Sequence, residues 1–219
     1  MTKDKWRTLL ITSAVIVAVI FYGVSQYETL PQMMVTHWGI DDQPNGWMPK
    51  AMVVYGVPVM MLLIHWFCMG VTYYAAAHGQ GAPRMERVLA WFFPVSTIVV
   101  YVIMIRYAQG HAVNVRLWAI ALVGAMFIFL GNYLPTVPAT SPRKGWIGFG
   151  FHVPWQVTNP AGALKTLRVL GYVMVAGGVL LLGSLFFAPA ASVVALVIVI
   201  AAIVVMMPLS YVWTTRPDQ

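Results

Sequence analysis

Residues 169–215 read VLGYVMVAGGVLLLGSLFFAPAASVVALVIVIAAIVVMMPLSYVWTT, 47 positions between Arg168 and Arg216 without one charged side chain. A helix crosses a bilayer with about 20 apolar residues. The stretch is therefore too long for one crossing and too apolar to leave the membrane for long. Ala188-Pro189-Ala190 supplies a turn, which gives two spans, about 169–187 and 191–213. Toward the N-terminus, apolar runs at about 8–26, 51–77, 88–105 and 117–134 add four more. Lys3, Lys5 and Arg7 precede the first run as they would a signal peptide. That run exceeds a signal-peptide core and no small-x-small cleavage site follows, so it reads as an uncleaved anchor. The expected fold is all-α: a polytopic membrane protein of about six transmembrane helices.

Composition agrees. The chain has 219 residues, 60% hydrophobic and 9% charged, where an ordinary soluble domain is about 25% charged. Thirteen basic and six acidic side chains cannot solvate a globular surface of this size, which excludes a soluble enzyme. High hydrophobicity excludes a disordered chain. The single cysteine, Cys68, excludes an internal disulfide framework and a cysteine-based metal site. The net charge of +7 does not point to nucleic acid, because the bases are scattered rather than gathered in a stripe.

Sorted by side of the membrane, the bases become a topology. With the N-terminus inside, Lys3, Lys5, Arg7, Arg84, Arg87, Arg143, Lys144, Lys165, Arg168 and Arg216 fall on the inner side, and only Lys50, Arg106 and Arg116 on the outer. Inner excess of Lys and Arg is the rule for plasma-membrane proteins, so both termini are expected in the cytoplasm. Inner bases also suit anionic headgroups, so membrane lipids alone account for the charge.

Two connections exceed what a turn needs. The outer loop, about 27–50, reads YETLPQMMVTHWGIDDQPNGWMPK and carries Glu28, Asp41 and Asp42 beside a single base, Lys50. Gln43-Pro44-Asn45-Gly46 has tight-turn residues, and Trp38 and Trp47 suit the headgroup interface. A compact cap on the membrane surface is expected. His37 and Asp41 would share a face only on a helical turn, where with Asp42 they could hold a divalent ion. Gly39 and the turn residues argue against that helix, and no further ligand is evident. The preferred reading is a His37 that bonds to a backbone carbonyl or to a carboxylate and orders the loop; no metal or cofactor is assigned.

The inner loop, about 135–165, contains five prolines and several glycines, which forbid a continuous helix. Thr158 or Asn159 followed by Pro160 has the form of a helix start that leads through 161–168 into the fifth span. Gly145-Trp146-Ile147-Gly148-Phe149-Gly150 lacks the Lys-Ser/Thr of a phosphate loop and the βαβ setting of a dinucleotide fold, so neither is assigned. Its glycines and aromatic residues suggest a close-packed hairpin in the interface or re-entering the bundle.

Gly131-Asn132-Tyr133-Leu134-Pro135, followed by Ile147-Gly148-Phe149-Gly150-Phe151-His152-Val153-Pro154-Trp155, resembles the signature of the SdpI family. That family comprises bacterial membrane proteins associated with immunity to a secreted toxin. Leu30-Pro31, His37-Trp38-Gly39 and Gly46-Trp47 to Lys50 resemble the uncharacterised domain often fused upstream of it. The resemblance implies an N-terminal unit, 1–77, and an SdpI-like four-helix unit, 78–219. It departs at His152-Val153, where the family has arginine and threonine; histidine does not grip an anion bidentately as arginine does.

Isolated polar groups complete the candidates. His65 lies midway along the second span, where an ionisable group is a functional candidate by default; the plainer reading is a histidine bonded to a neighbouring helix. Asn132 reads as a helix bridge or loop cap. Met52, Met60, Met61 and Met69 surround His65 in sequence and could line a pocket, although lipid-facing filler is commoner. Pro58 and Pro94 should kink their helices, and Arg106 and Arg116 can snorkel to outer headgroups. No carboxylate occurs between Glu86 and Asp218, which leaves spans three to six without an acidic proton relay and argues against an enzyme.

The leading expectation is a bacterial plasma-membrane protein that confers immunity to a peptide toxin by binding on the outer side. The resemblance further implies a cytoplasmic regulator as partner. The binding residues would be His37, Trp38, Asp41, Asp42, His65, Asn132, Arg143, His152, Pro154 and Trp155. Catalytic residues and cofactors are not assigned, and a homo-oligomer stays open. The alternatives are a small transporter or lipid-binding protein with a cavity near His65 and Asn132, and a metal-dependent surface enzyme at His37, Asp41 and Asp42.

Overall fold

The computed structural model describes residues 2–39, 41–139 and 157–216. Six helices are long and apolar enough to cross a membrane: Lys3–Ser25, Met52–Gln80, Pro83–Ala108, Val115–Thr136, Pro160–Ser184 and Pro189–Thr215. The protein is thus an all-α, multi-pass membrane protein whose helices meet membrane lipid, with one small hairpin. The regular elements are α1 (Lys3–Ser25), β1 (Met33–Trp38), β2 (Pro44–Pro49), α2 (Val57–Ala75), α3 (Pro83–Ala108), α4 (Val115–Tyr133), α5 (Pro160–Ser184) and α6 (Pro189–Thr215). A π-helical turn, Met52–Gly56, precedes α2, and after it the chain leaves helical geometry at His78 and at Gly79, where φ is 83°.

Several helices begin before the apolar run that announced them. The first starts at Lys3 and the third at Pro83, because hydropathy locates the hydrocarbon-spanning part while the helix continues into the headgroup layer. The start expected at 158–160 is found: Asn159 is the N-cap, its Oδ1 accepts from Gly162 N at 2.9 Å, and Pro160 opens α5. Proline suits the first turn because its missing N–H has no helical partner there.

The chain forms two compact bodies, residues 1–69 with 89–119, and 70–88 with 120–219. In the first, Val19, Leu30, Met34, Val53, Val54, Tyr101, Met104 and Ile105 form a buried cluster. Pro58 explains part of it. Without an N–H, proline leaves the carbonyl four residues earlier unpaired, here that of Val54. The fully buried Tyr101 hydroxyl donates to that carbonyl at 3.0 Å, meeting the demand that backbone groups in lipid be satisfied within the protein. Gly23 of α1 leaves room for it, since a Cβ there would run into the Tyr101 hydroxyl.

The second body uses a different device. Gly124 and Gly131 on α4 face Gly178 and Gly171 on α5. A Cβ on Gly131 would lie 2.7 Å from the Gly171 carbonyl oxygen, and one on Gly178 2.5 Å from that of Gly124. Small residues let membrane helices approach until their backbones touch. α5 is also stitched to α6: the N–H groups of Thr158 and Asn159 both donate to Thr214 O at 2.9 Å, and Asn159 Nδ2 donates to Arg216 O at 3.0 Å. At the opposite end of the pair, Ser184 and Ser192 bond through their hydroxyls at 3.0 Å.

Candidate functional site

The outer connection is built as a two-stranded antiparallel hairpin. Met33 pairs with Pro49, Met34 with Met48, Val35 with Trp47, His37 with Gly46 and Trp38 with Pro44, and the register shifts between Val35 and His37 and again before Trp38. Alternation along β1 decides what faces where. Met34 is buried with Leu30 in the core of the first body, while Met33, Trp47 and Met48 are exposed. The Trp38 ring meets the Tyr107 ring edge-on, 5.2 Å between centroids. Met34 and Leu30 thereby root the hairpin on the helices, Met33 and Trp47 lie on the face opposite Met34, and Met48, though paired with Met34, is exposed as well.

The expected turn is displaced. Pro44, Asn45 and Gly46 lie in β2, and the reversing bonds are made by Gly39, Asp42 and Gln43 instead. Gly39 N donates to Gln43 O at 2.8 Å and Asp42 N to Gly39 O at 3.1 Å. Asp42 takes φ 62°, a left-handed conformation that Asp and Asn tolerate better than most residues. Asp41 Oδ1 accepts from Gln43 N at 3.2 Å. Proline and glycine are turn signals in isolation, but a bulged strand of a two-stranded sheet admits both, because one side lacks a ladder to interrupt.

His37 bonds across the hairpin to a side-chain amide oxygen rather than to the expected backbone carbonyl or carboxylate: its Nδ1 meets Asn45 Oδ1. It lies on a strand, so it shares no helical face with Asp41. Among the described residues no three His, Cys, Asp or Glu side chains come together. Lys50 is turned back on its own neighbourhood, donating to Tyr27 O at 3.3 Å and standing 4.4 Å from the Tyr27 ring centroid. Glu28 and Asp41 are exposed, and among the described residues neither they nor Asp42 enter an ion pair. The hairpin thus carries Asp41 and Asp42 between its strands and exposed Met33, Trp47 and Met48 along them, with Glu28 shortly before it in the chain.

His65 is fully buried. Thr12 Oγ1 bonds back to Thr8 O at 2.9 Å and stands 2.8 Å from His65 Nε2. With the hydroxyl proton on the carbonyl, Nε2–H donates to Thr12, and Nδ1 is left without a partner among the described residues. Phe93 lies against the ring, 5.7 Å between centroids. One position on, Trp66 Nε1 donates to Ser13 Oγ at 2.8 Å. Both contacts tie α1 to α2, as the plainer reading of His65 held. Asn132 is exposed in the last turn of α4 and belongs to the second body, whereas His65 belongs to the first. Arg143, His152, Pro154 and Trp155 lie outside the described residues.

Residues 14–62 match the domain of unknown function DUF1648. The match holds Leu30-Pro31, His37-Trp38-Gly39 and Gly46-Trp47, the residues that resembled the uncharacterised upstream domain, and it covers less than a quarter of the chain. In structural terms it takes in the C-terminal half of α1, the hairpin and the first turns of the second helix. No curated protein and no solved structure matches the chain.

Sequence reading missed three features: the Tyr101–Val54 bond, the glycine pairs of α4 and α5, and an open groove at residues 98–118. The glycines did carry a signal, since both pairs are spaced by seven residues and so recur on one helix face. The groove carried a weaker one in Gly110, which precedes His111 at the end of an apolar helix.

Proposed function

We propose that the chain is a non-catalytic receptor of the SdpI type in the bacterial plasma membrane, which protects its cell from a secreted cationic peptide by holding it at the outer face. The observation that carries this reading is the hairpin. Met34 and Leu30 root it in the helices, Met33, Trp47 and Met48 are exposed, and Glu28, Asp41 and Asp42 give its surroundings a negative sign. A two-stranded sheet also has outer strand edges, and an extended peptide binds such an edge through backbone hydrogen bonds while pockets read alternate side chains. The cytoplasmic regulator is assigned to the connection between α4 and α5, which carries the residues that resemble the SdpI signature.

The test uses toxin-sensitive bacteria that express the full chain and are challenged with cationic membrane-active peptides secreted by related strains. Survival should rise with the wild-type chain. It should fall to the level of empty cells with Trp47→Ala combined with Met48→Ala, at unchanged membrane abundance. Equal survival of wild-type and hairpin-variant cells would remove the hairpin from the mechanism, and no protection at all would end the immunity reading.

A further inference from the structure

The structure assigns a second binding site, independent of the hairpin, to the groove between the end of α3 and the start of α4: we propose that it holds a phosphate-bearing lipid of the leaflet in which α3 ends. The groove has a volume of about 390 Å³, within the usual range of roughly 300–1,000 Å³ for small-molecule sites. Ile98, Val102 and Ile103 form its wall, and Arg106, His111 and Trp118 its mouth.

The local fold explains why Arg106 and His111 meet. α3 ends in a Schellman motif: His111 N donates to Arg106 O at 3.1 Å and Gly110 N to Tyr107 O at 3.0 Å, with Gly110 at φ 81°. That reversal brings residue 111 back over the last turn, beside Arg106. Asn114 then caps α4, its Oδ1 accepting from Leu117 N at 2.9 Å, so the connection is short and both its ends are fixed. Arg106 and His111 are exposed, and neither side chain bonds to a described residue. No carboxylate lines the groove.

Chemistry and position choose the occupant together. The wall belongs to α3, one of the six membrane-crossing helices, and Ile98, Val102 and Trp118 are exposed on it, so the groove opens where lipid is always present. Its apolar part matches an acyl chain. A guanidinium at the mouth matches phosphate, which it can meet with two parallel N–H donors. Trp118 has the amphipathic ring that settles at headgroup level. An acidic peptide would use Arg106 but not the apolar wall below it, and a neutral sterol-like molecule would use the wall but not the cation.

The test takes the purified full chain, stripped of lipid in detergent. Binding is measured by native mass spectrometry with dioleoyl-phosphatidylglycerol, with a glycosyl-diacylglycerol of the same chains but no phosphate, and with free glycerol phosphate. The expected result is at least tenfold tighter binding of phosphatidylglycerol than of either comparator. Arg106→Gln should reduce phosphatidylglycerol binding by roughly tenfold to a hundredfold, the loss of a charge-assisted bond, and Arg106→Lys by less. Val102→Trp, which fills the wall and leaves the charges alone, should weaken both lipids together and serves as the second probe. Equal binding of the two lipids, glycerol phosphate competing as well as the whole lipid, or variants indistinguishable from wild type would each overturn the proposal.

Discussion

In the first body, helices are joined by side chains that reach across: Thr12 to His65, Ser13 to Trp66, Tyr101 to the carbonyl that Pro58 leaves free, and Gln26 to Gln109 at 2.8 Å. In the second body, α4 and α5 are joined where side chains are missing, with Gly124 and Gly131 against Gly178 and Gly171. Both are answers to one constraint. Lipid tails are as apolar as leucine, so burying leucine gains little, and a membrane protein must rely on close packing or on polar bonds. The first answer ties specific pairs and tolerates spacing between backbones. The second needs backbones in contact and tolerates no added atom.

That contrast can be broken most sharply at the glycines. Gly171→Leu puts a branched side chain where even a Cβ would lie 2.6 Å from the Gly131 carbonyl oxygen. It should cost more than about 3 kcal/mol, beyond the usual overpacking penalty, and lower the unfolding midpoint in an SDS titration far more than any polar variant. A Gly171→Leu chain as stable as wild type would show that α4 and α5 are not held by backbone contact.

Next in size is Tyr101→Phe. It keeps the ring and removes the donor, leaving the Val54 carbonyl unsatisfied at a cost of about 1–3 kcal/mol. Gly23→Ala should also destabilise, and the two should not add, because Phe removes the hydroxyl that the new methyl would strike; a double-mutant cycle measures the coupling. Additive effects would separate Gly23 from Tyr101. Asn159→Ala removes both the cap of α5 and the bond to Arg216 O, and should cost about 1 kcal/mol or more, read as earlier proteolysis near residue 159. The smallest effect is expected from Thr12→Val, which removes the partner of His65 at nearly constant volume. Membrane hydrogen bonds average about 0.6 kcal/mol, so the midpoint should move only slightly, and a large loss would mean that His65 does more than join α1 to α2.

Legibility followed the range of the interaction. The six crossings, the Asn159-Pro160 start and the residues of the DUF1648 match were readable, because each depends on neighbours in sequence. The hairpin was only half readable. A compact outer cap was expected, but Pro44 to Gly46 carried turn signals that the strand pairing overrode, and the left-handed position falls at Asp42 instead. At the candidate sites, His37 was expected to bond to a backbone carbonyl or a carboxylate, and its partner is instead the Asn45 side chain, eight residues away across the sheet. Arg106 was read as snorkelling to headgroups, while the groove beside it depends on how Gly110 turns His111 back over the helix end.

By itself the sequence determined the solvent. With 9% charged residues and a charge-free run of 47 positions, this chain has no way to satisfy water and no need to leave lipid once inserted. Transfer between phases depends on composition along a segment, and composition is what a sequence states. Tertiary structure alone decided which buried polar groups are paired and which helices touch. A hydroxyl at 101 meeting a carbonyl at 54, or a glycine at 131 meeting one at 171, depends on distances of a few tenths of an ångström between segments that only folding brings together.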